Sequence, residues 1–377
     1  MAESRDTMAH IFTMRSLVLY AVLCGGGALV EGVAIARPRL MGPRLGAGLR
    51  SASPRGAIRA SGGVDFEAAQ WSLLTQQHQG FFKGVWTSVD GSGAPLDELE
   101  ADSAWVTTKG GEELIQVNTY FTGSVRSSCE VCQDSVEGRQ LQVGTYSKGK
   151  MPGVRLAGRG IAFGPRVTKR GALTAEVGLR DGVSRVRVLF AYEPQYAPTG
   201  GGPPTSLELG RVTVIRECLD RPPLRDEPRA VSAARPSGEA ADLWRANDGA
   251  PPFGLWQGER DVWVAGEVTS ERVAPAHLRR CRCSGAADAD EPAAETLQLP
   301  GGIYVEFPRT IAPATPVELR VSWAPFAAAP QLLRAALGIT ALGRVILENA
   351  EEVVMAPPTC DAFAVETLEQ LAPALSS

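Results

Sequence analysis

The feature that most constrains this chain is a succession of short strand-like runs separated by turn-forming residues. In the first half the runs are residues 81–89, 103–108, 113–121, 139–146, 154–163, 172–179, 183–192 and 206–217. Apolar, alternating runs of this length and spacing predict β-strands joined by short connections. Because no long helical pattern interrupts them, they predict an eight-stranded antiparallel barrel, in which closure leaves no open edge.

A second feature is a repeated pair of tryptophan-containing elements. A helix-like segment containing Trp71 precedes a Gly-Val-Trp ending at Trp86, and a segment containing Trp244 precedes a Gly-Leu-Trp ending at Trp256. Four prolines lie among Arg, Asp and Ser in residues 220–238, a composition typical of linkers. We therefore predict two related domains.

The predicted boundaries make the second domain the shorter one. The first domain is predicted over residues 64–219 and the second over 239–358, with short flanking helices. Strand-like runs in the second domain are residues 255–264, 296–299, 303–307, 317–323 and 344–354, and 331–337 fits either a strand or a helical turn. Residues 359–377 are predicted to hold a C-terminal amphipathic helix.

The N-terminal region has the composition of a targeting sequence. Residues 1–36 contain a basic start, a short apolar stretch and a small-x-small site, which predict a secretory signal peptide. Residues 37–63 contain six Arg and no Lys, Asp or Glu, which is typical of a disordered transit peptide. Together they resemble the bipartite presequences of plastids of secondary endosymbiotic origin. We expect a plastid protein; simple secretion is the alternative.

Charge and composition exclude several function classes. The net charge of −4 argues against nucleic acid as a partner, because phosphate binding needs a basic surface. The apolar N-terminal stretch is too short for a membrane span, so we do not expect an integral membrane protein. There is no Gly-rich phosphate-binding loop, and only three His are present, so nucleotide and multi-histidine chemistry are not expected.

Two close cysteine pairs leave three alternatives open. They are Cys129 with Cys132, and Cys281 with Cys283, one pair in each domain. Unpaired structural thiols are the simplest interpretation; a four-thiolate zinc site and a redox-active disulfide at the first pair are the others. No metal site is predicted.

The Gly-x-Trp on the first strand of a barrel resembles the lipocalin signature. In lipocalins this Trp packs against an Arg at the end of the last strand, which implies a contact between Trp86 and Arg216. The wider pattern resembles the DUF3598 family of cyanobacteria and plastids. The likeness lies in Glu-Val-Gly-Leu-Arg-Asp-Gly at 176–182 and in residues 185–192, 214–217, 299–304, 307–308 and 321–323.

This resemblance covers most of residues 66–356 and implies two tandem lipocalin-like (calycin) antiparallel β-barrels in an all-β chain. Between residues 273 and 294 an Ala- and Asp-rich stretch replaces an expected strand, so the second barrel is predicted to be shortened. The family's fold is similar to that of the phycobiliprotein lyases, which hold open-chain tetrapyrroles. A pigment-related role is what this similarity implies.

The candidate ligand-binding residues are polar or aromatic side chains on the barrel strands. They are Trp86, Trp105, Arg187, Tyr192, Arg216 and Glu217. A lumen-facing Arg commonly holds a ligand carboxylate. The alternative is that Arg216 and Glu217 cap the barrel structurally and that Arg187 faces water. Alternation in residues 183–192 does not decide which face lines the lumen.

Three functions are compatible with this pattern. The leading hypothesis is a non-catalytic plastid carrier whose hollow, apolar barrel binds a hydrophobic small molecule such as a tetrapyrrole, a carotenoid or a fatty acid. The alternatives are a chromophore lyase or isomerase, and an assembly factor that contacts a photosynthetic protein partner. No catalytic residue and no obligatory cofactor are predicted.

Overall fold

Strands dominate the computed structural model, which describes residues 66–121, 139–168, 171–197, 204–221, 254–264, 266–278, 294–325, 331–340, 343–346 and 353–371. Within these segments the chain is all-β apart from one α-helix and a short 3-10 turn, as the sequence predicts. The predicted signal and transit peptides and both cysteine pairs lie outside the described residues. So does the Trp244 segment.

Unit one, residues 66–221, contains the helix and nine described strands. They are α1 (Phe66–His78), β1 (Gly80–Val89), β2 (Pro95–Thr108), β3 (Glu113–Phe121), β4 (Arg139–Ser147), β5 (Val154–Ala157), β6 (Gly160–Val167), β7 (Leu173–Asp181), β8 (Ser184–Gln195) and β9 (Ser206–Arg221). The run 154–163, predicted as one strand, is a hairpin because Gly158 has a φ of 48° and turns the chain. Since β9 extends to Arg221, the remainder of the predicted linker lies outside the described residues.

The strands of unit one form a curled antiparallel sheet in the order β4-β3-β2-β1-β9-β8-β7-β6-β5. Its two ends meet across the interior, where the rings of Tyr146 on β4 and Phe163 on β6 are 6.1 Å apart. In the described residues β4 and β5 are not paired as strands, so the expected eight-stranded closed barrel is corrected to a nine-stranded open one.

The helix α1 bridges this seam. The side-chain amide of Gln70 donates a 2.8 Å hydrogen bond to the Leu156 carbonyl and accepts another of 2.8 Å from the Leu156 N–H. A side chain thus takes the place of a neighbouring strand along the edge of β5, where an unpaired buried backbone group would be costly.

Unit two, residues 254–371, contains the remaining described strands. They are β10 (Gly254–Val264), β11 (Glu267–Leu278), β12 (Ala294–Leu299), β13 (Ile303–Pro308), β14 (Thr310–Ile311), β15 (Pro316–Trp323), β16 (Gln331–Thr340), β17 (Gly343–Ile346), β18 (Val353–Ala356) and β19 (Thr359–Gln370). The ambiguous run 331–337 is a strand. The run 344–354, predicted as one strand, is the β17–β18 hairpin. The strand β11 was not predicted.

The strand order of unit two repeats that of unit one. Its sheet runs β11-β10-β19-β16-β15-β13-β12, and unit one contains β2-β1-β9-β8-β7-β6-β5. The two Gly-x-Trp elements lie on the corresponding strands β1 and β10. Counterparts of β3 and β4 are not among the described strands of unit two, so its described sheet is the shorter one.

The predicted C-terminal helix is wrong. Residues 359–370 form β19, which is hydrogen-bonded to β10 on one side and to β16 on the other. Phe363 and Val365 face the core shared with unit one, and Leu368 faces the opposite side of the sheet. Pairing with two strands therefore overrides the helical propensity of a segment rich in Ala, Glu and Leu.

The two units pack against each other through one apolar core. Val186, Val188 and Phe190 on β8 lie in the same cluster as Phe307 and Phe363 of unit two, and the rings of Phe190 and Phe307 are 6.3 Å apart. The strand β14 also pairs with β9, which joins unit two to the sheet of unit one. This packing decides the orientation of β8: its Val face is directed at unit two, and its Arg face lines the lumen of unit one.

Among the described residues, no helix is both long enough and apolar enough to cross a membrane.

We predict that Phe363→Ala lowers the free energy of unfolding by about 3–5 kcal/mol, because a fully buried ring is lost from the core between the units. Glu369→Ala, an exposed position on the same strand, is the matched control and should change stability by no more than about 0.5 kcal/mol. Urea denaturation followed by tryptophan fluorescence measures both. Equal stability of the two variants would contradict the shared core.

Candidate functional site

One end of the lumen of unit one is filled by aromatic and aliphatic side chains. Trp105, Leu114 and Leu156 from the strands are fully buried and pack with Trp71 and Leu74 of α1. The Trp105 indole N–H donates a 2.8 Å hydrogen bond to Ser103 Oγ. These side chains present no surface to a ligand, so the expected hollow apolar cup is corrected to a lumen that is solid at the end next to α1.

Next to these packed side chains lies a buried ionic cluster formed by Arg185, Arg187 and Glu217. Glu217 Oε2 accepts hydrogen bonds from Arg185 Nε at 2.7 Å and Arg187 Nε at 3.0 Å. Glu217 Oε1 accepts a third, from Arg187 Nη2 at 2.9 Å. One carboxylate therefore binds two guanidinium groups and satisfies both of its oxygens.

The strand register explains how these side chains meet. Arg185 on β8 is directly opposite Glu217 on β9, and Arg187 follows on the same face two residues later. On the other side of Glu217 the register places Gly84 of β1. A Cβ at Gly84 would lie 2.5 Å from the Arg216 carbonyl oxygen and 2.8 Å from Glu217 Cγ. The glycine of the Gly-x-Trp element thus leaves room for the Glu217 carboxylate.

Mutual neutralisation keeps the cluster charged. Burial acts to raise the pKa of Glu217, but Arg185 and Arg187 outweigh it and hold this pKa below its usual value. Burial lowers the pKa of Arg185 to about 10, although Glu217 opposes that shift. For Arg187 the attraction of Glu217 and Glu176 outweighs burial and raises its pKa well above the usual value. All three groups are therefore ionised at neutral pH.

Aromatic rings surround both guanidinium groups. The Arg185 guanidinium lies 3.6 Å from the centroid of the Phe82 ring and 5.0 Å from that of Trp105. The Arg187 guanidinium lies 5.6 Å from Trp86 and 5.9 Å from Trp105. Cation–π attraction of this kind is stronger when the cation is desolvated, as both are here.

His78, at the end of α1, is buried beside this cluster. Its ring centroid lies 6.3 Å from that of Trp105. Burial, and then the positive charges of Arg185, Arg180 and Arg187, lower the pKa of His78 well below its usual value. The imidazole is therefore neutral at physiological pH and is sealed from solvent.

On the other side of the cluster some lumen-facing side chains are only half-buried, although Ser88 and Thr213 beside them are buried and hydrogen-bonded to each other. On the lumen face of β8, the Arg187 side chain is buried, whereas that of Leu189, the next residue on the same face, is half-buried. On the opposite wall Leu99 of β2 and Tyr120 of β3 are also half-buried. We call Leu99, Tyr120, Leu189 and Glu176 the lumen mouth.

Glu176 connects the mouth to the ionic cluster. Its Oε1 accepts a 2.8 Å hydrogen bond from Arg187 Nη1, and 16% of its side chain is exposed. The register places it opposite Leu189 on β8 and Phe163 on β6. Glu176 is thus a partner of Arg187 that reaches solvent, whereas Glu217 is fully buried.

Four of the six candidate residues lie together in the lumen: Trp86, Trp105, Arg187 and Glu217. The other two candidates, Tyr192 and Arg216, lie outside the lumen, contrary to the prediction. The Tyr192 side chain lies between the units, where its hydroxyl donates a 2.9 Å hydrogen bond to the Pro308 carbonyl.

Arg216 faces the opposite side of the sheet from Trp86. Trp86 is paired with Ile215, and Arg216 Nη2 donates a 3.2 Å hydrogen bond to Thr87 Oγ1 on the outer face. Arg187 lies over the Trp86 ring inside the lumen, in the place that the resemblance implied for Arg216.

Sequence reasoning did not select Glu176 or Arg185 as ligand-site residues. The signal for Glu176 is present: it is a carboxylate in the run Leu-Thr-Ala-Glu-Val-Gly-Leu of β7, which is otherwise apolar or small. An acidic residue in such a strand needs a cationic partner inside the fold.

Cysteine and metal chemistry receive no support from the described residues. Both described cysteines, Cys218 and Cys360, are free and partly buried. No group of three or more His, Cys, Asp or Glu within the described segments is arranged to hold a metal ion.

We predict that Glu217→Gln destabilises the protein by about 3–5 kcal/mol, since it leaves two guanidinium groups without their shared counter-charge in a buried site. Glu208→Gln, a surface position on the same strand, is the control. Thermal and urea denaturation measure the difference.

If charge rather than shape is responsible, the triple variant Arg185→Met, Arg187→Met, Glu217→Leu should recover most of the stability lost in Glu217→Gln. A triple variant as unstable as the single one would contradict unpaired buried charge as the cause of the loss in Glu217→Gln.

Comparison with known proteins identifies structural neighbours only. No family model matches the chain, and no curated protein matches it by sequence. A protein of unknown function from the DUF3598 family of Nostoc punctiforme is similar over 80% of this chain and 99% of its own, with 13% identity and a TM-score of 0.46. The S-type phycobiliprotein lyase CPES of Guillardia theta is similar over 82% and 98%, with 9% identity and a TM-score of 0.13. The first neighbour comes from the family whose motifs this sequence resembles.

Proposed function

We propose that unit one is a non-catalytic carrier that binds a hydrophobic small molecule, such as a tetrapyrrole, a carotenoid or a fatty acid, in the lumen mouth. The observation that supports this is the change in burial along the lumen: the ionic cluster at Arg187 is fully buried, whereas Leu99, Tyr120 and Leu189 are half-buried. A ligand bound there covers the exposed parts of these side chains and lies next to the ionic cluster.

The apolar walls supply the affinity. Leu99 and Tyr120 already pack against Trp86, whose ring contacts that of Tyr120 edge-on at 5.3 Å. The mouth is therefore continuous with a rigid aromatic core. Each Å² of apolar surface that a ligand covers contributes roughly 25 cal/mol, and a preformed wall lowers the entropic cost of binding.

The polar groups beneath the mouth favour binding over catalysis. Both oxygens of Glu217 accept hydrogen bonds from guanidinium groups, and its lowered pKa prevents it from acting as a proton donor. His78 is sealed under the cluster. General acid–base catalysis needs a group within hydrogen-bond reach of the substrate; neither Glu217 nor His78 faces the mouth, and the carboxylate that does, Glu176, is ion-paired with Arg187.

Binding to the mouth is tested with protein freed of small molecules and titrated with a fatty acid, a linear tetrapyrrole and a carotenoid, following tryptophan fluorescence. We expect Leu99→Asp to weaken binding of whichever probe binds by at least about tenfold, because it places a charge against the apolar part of the ligand.

Leu96→Asp is the matched control, since Leu96 lies on the same strand, is 46% exposed and is the residue without a partner at the irregularity in the β1–β2 register. Its affinity should equal that of the unchanged protein. Failure of all three probes to bind, or equal loss in both variants, would contradict a ligand site in the mouth.

We further propose that the carrier acts in a plastid, on the basis of the signal-like residues 1–36 and transit-like residues 37–63. A fluorescent protein fused to residues 1–63 should enter the plastid of an alga with a secondary plastid, and one fused to residues 1–36 alone should follow the secretory pathway. Secretion of both fusions would contradict plastid import.

A further inference from the structure

We infer, on the basis of the proposed function, that the ligand carries a carboxylate, and that Glu176 holds the place of this carboxylate on Arg187 until the ligand binds. Glu176 is thus an exchangeable internal counter-ion and determines which ligands the mouth prefers.

The inference begins from the two different ways in which Arg187 is paired. Glu217 binds Nε and Nη2 of Arg187 with both of its oxygens, at 3.0 and 2.9 Å, and is fully buried. Glu176 binds only Nη1, through one oxygen at 2.8 Å, and is partly exposed. The first arrangement is fixed by the fold, and the second is a single charge-assisted hydrogen bond at the solvent boundary.

The position of Glu176 allows it to leave. It lies on the lumen face between Phe163 and Leu189, and 16% of its side chain is already in contact with solvent. Arg187 and Glu217 need not move, because their mutual hydrogen bonds do not involve Glu176. A released Glu176 exposes one N–H of Arg187 to the mouth.

The energetics favour exchange of one carboxylate for another. Bringing a charge into a buried site usually costs several kcal/mol of desolvation. Here Arg187 is already desolvated, and the outgoing Glu176 regains full hydration as the ligand carboxylate loses it. The two electrostatic terms nearly cancel, and the apolar part of the ligand, which Glu176 lacks, supplies the net gain.

This exchange predicts selectivity by charge. A neutral ligand of the same length cannot replace Glu176 and gains only the apolar contacts. A cationic ligand is repelled, because displacing Glu176 would bring it against Arg187. Carboxylate-bearing hydrophobic molecules, such as fatty acids and tetrapyrroles with propionate groups, are therefore the preferred class.

The experiment compares palmitate with hexadecanol, its neutral counterpart, in the unchanged protein, in Glu176→Gln and in Glu208→Gln. Removing the internal competitor should raise the affinity for palmitate by about tenfold in Glu176→Gln and leave hexadecanol binding unchanged. Glu208→Gln removes the same charge from a surface position and should change neither.

The outcomes separate this inference from the proposed function. If hexadecanol binds and Glu176→Gln leaves palmitate affinity unchanged or lowers it, the exchange is wrong and the carrier stands. If Glu176→Gln changes the affinity of both probes equally, Glu176 acts by shape and the exchange is again wrong. If neither probe binds any form of the protein, the exchange is wrong for fatty acids, whereas the proposed function fails only if the tetrapyrrole and the carotenoid also do not bind.

Discussion

The carboxylate of Glu217 is the group on which the interior of unit one depends. Arg185 and Arg187 lie on the same face of β8, buried, and would repel each other inside the sheet without it. Removing one member of such a cluster is far more costly than its net contribution suggests, because the remaining charges have no access to water. The cluster also explains the glycine of the first Gly-x-Trp element, since a side chain at Gly84 would occupy the space of Glu217.

The other face of the same strands explains why the chain contains two units. Val186, Val188 and Phe190 alternate with the arginines of β8 and are buried against unit two. Neither face of β8 is therefore open to solvent: the polar face lies inside the lumen, and the apolar face packs against Phe307 and Phe363 of unit two. The strand β8 thus has charged side chains on its lumen face and apolar ones on its outer face, and the second sheet buries the apolar face.

Local sequence signals predicted most strands, and they failed where pairing between distant segments decides the structure. The strand β2 begins at Pro95, eight residues before the predicted start, because its polar first half is extended by pairing with β1. Residues 359–370 have helix-forming composition, yet two flanking strands hold them extended. At the site, alternation of charged and apolar residues predicted two different faces of β8, but it did not predict which part of the structure each face packs against. Arg216 is one residue beyond Ile215, which lies on the lumen face with Trp86, so Arg216 points to the outside. Tyr192 lies on the face of β8 that contacts unit two.

A lumen with an ionic floor is compatible with a hydrophobic ligand because the cost of burying charge is met when the protein folds. Folding desolvates Arg187 and provides it with two counter-ions, and Glu217 alone is held by both of its oxygens. The second counter-ion, Glu176, is bound by one hydrogen bond at the edge of solvent. In the proposed exchange, a ligand carboxylate replaces Glu176 and preserves the charge balance of the ionic cluster, whereas a neutral ligand leaves Glu176 bound to Arg187. In the proposed carrier we therefore expect apolar contacts in the mouth to determine how tightly a ligand is held, and the Arg187 N–H that binds Glu176 to determine which end of the ligand points inward.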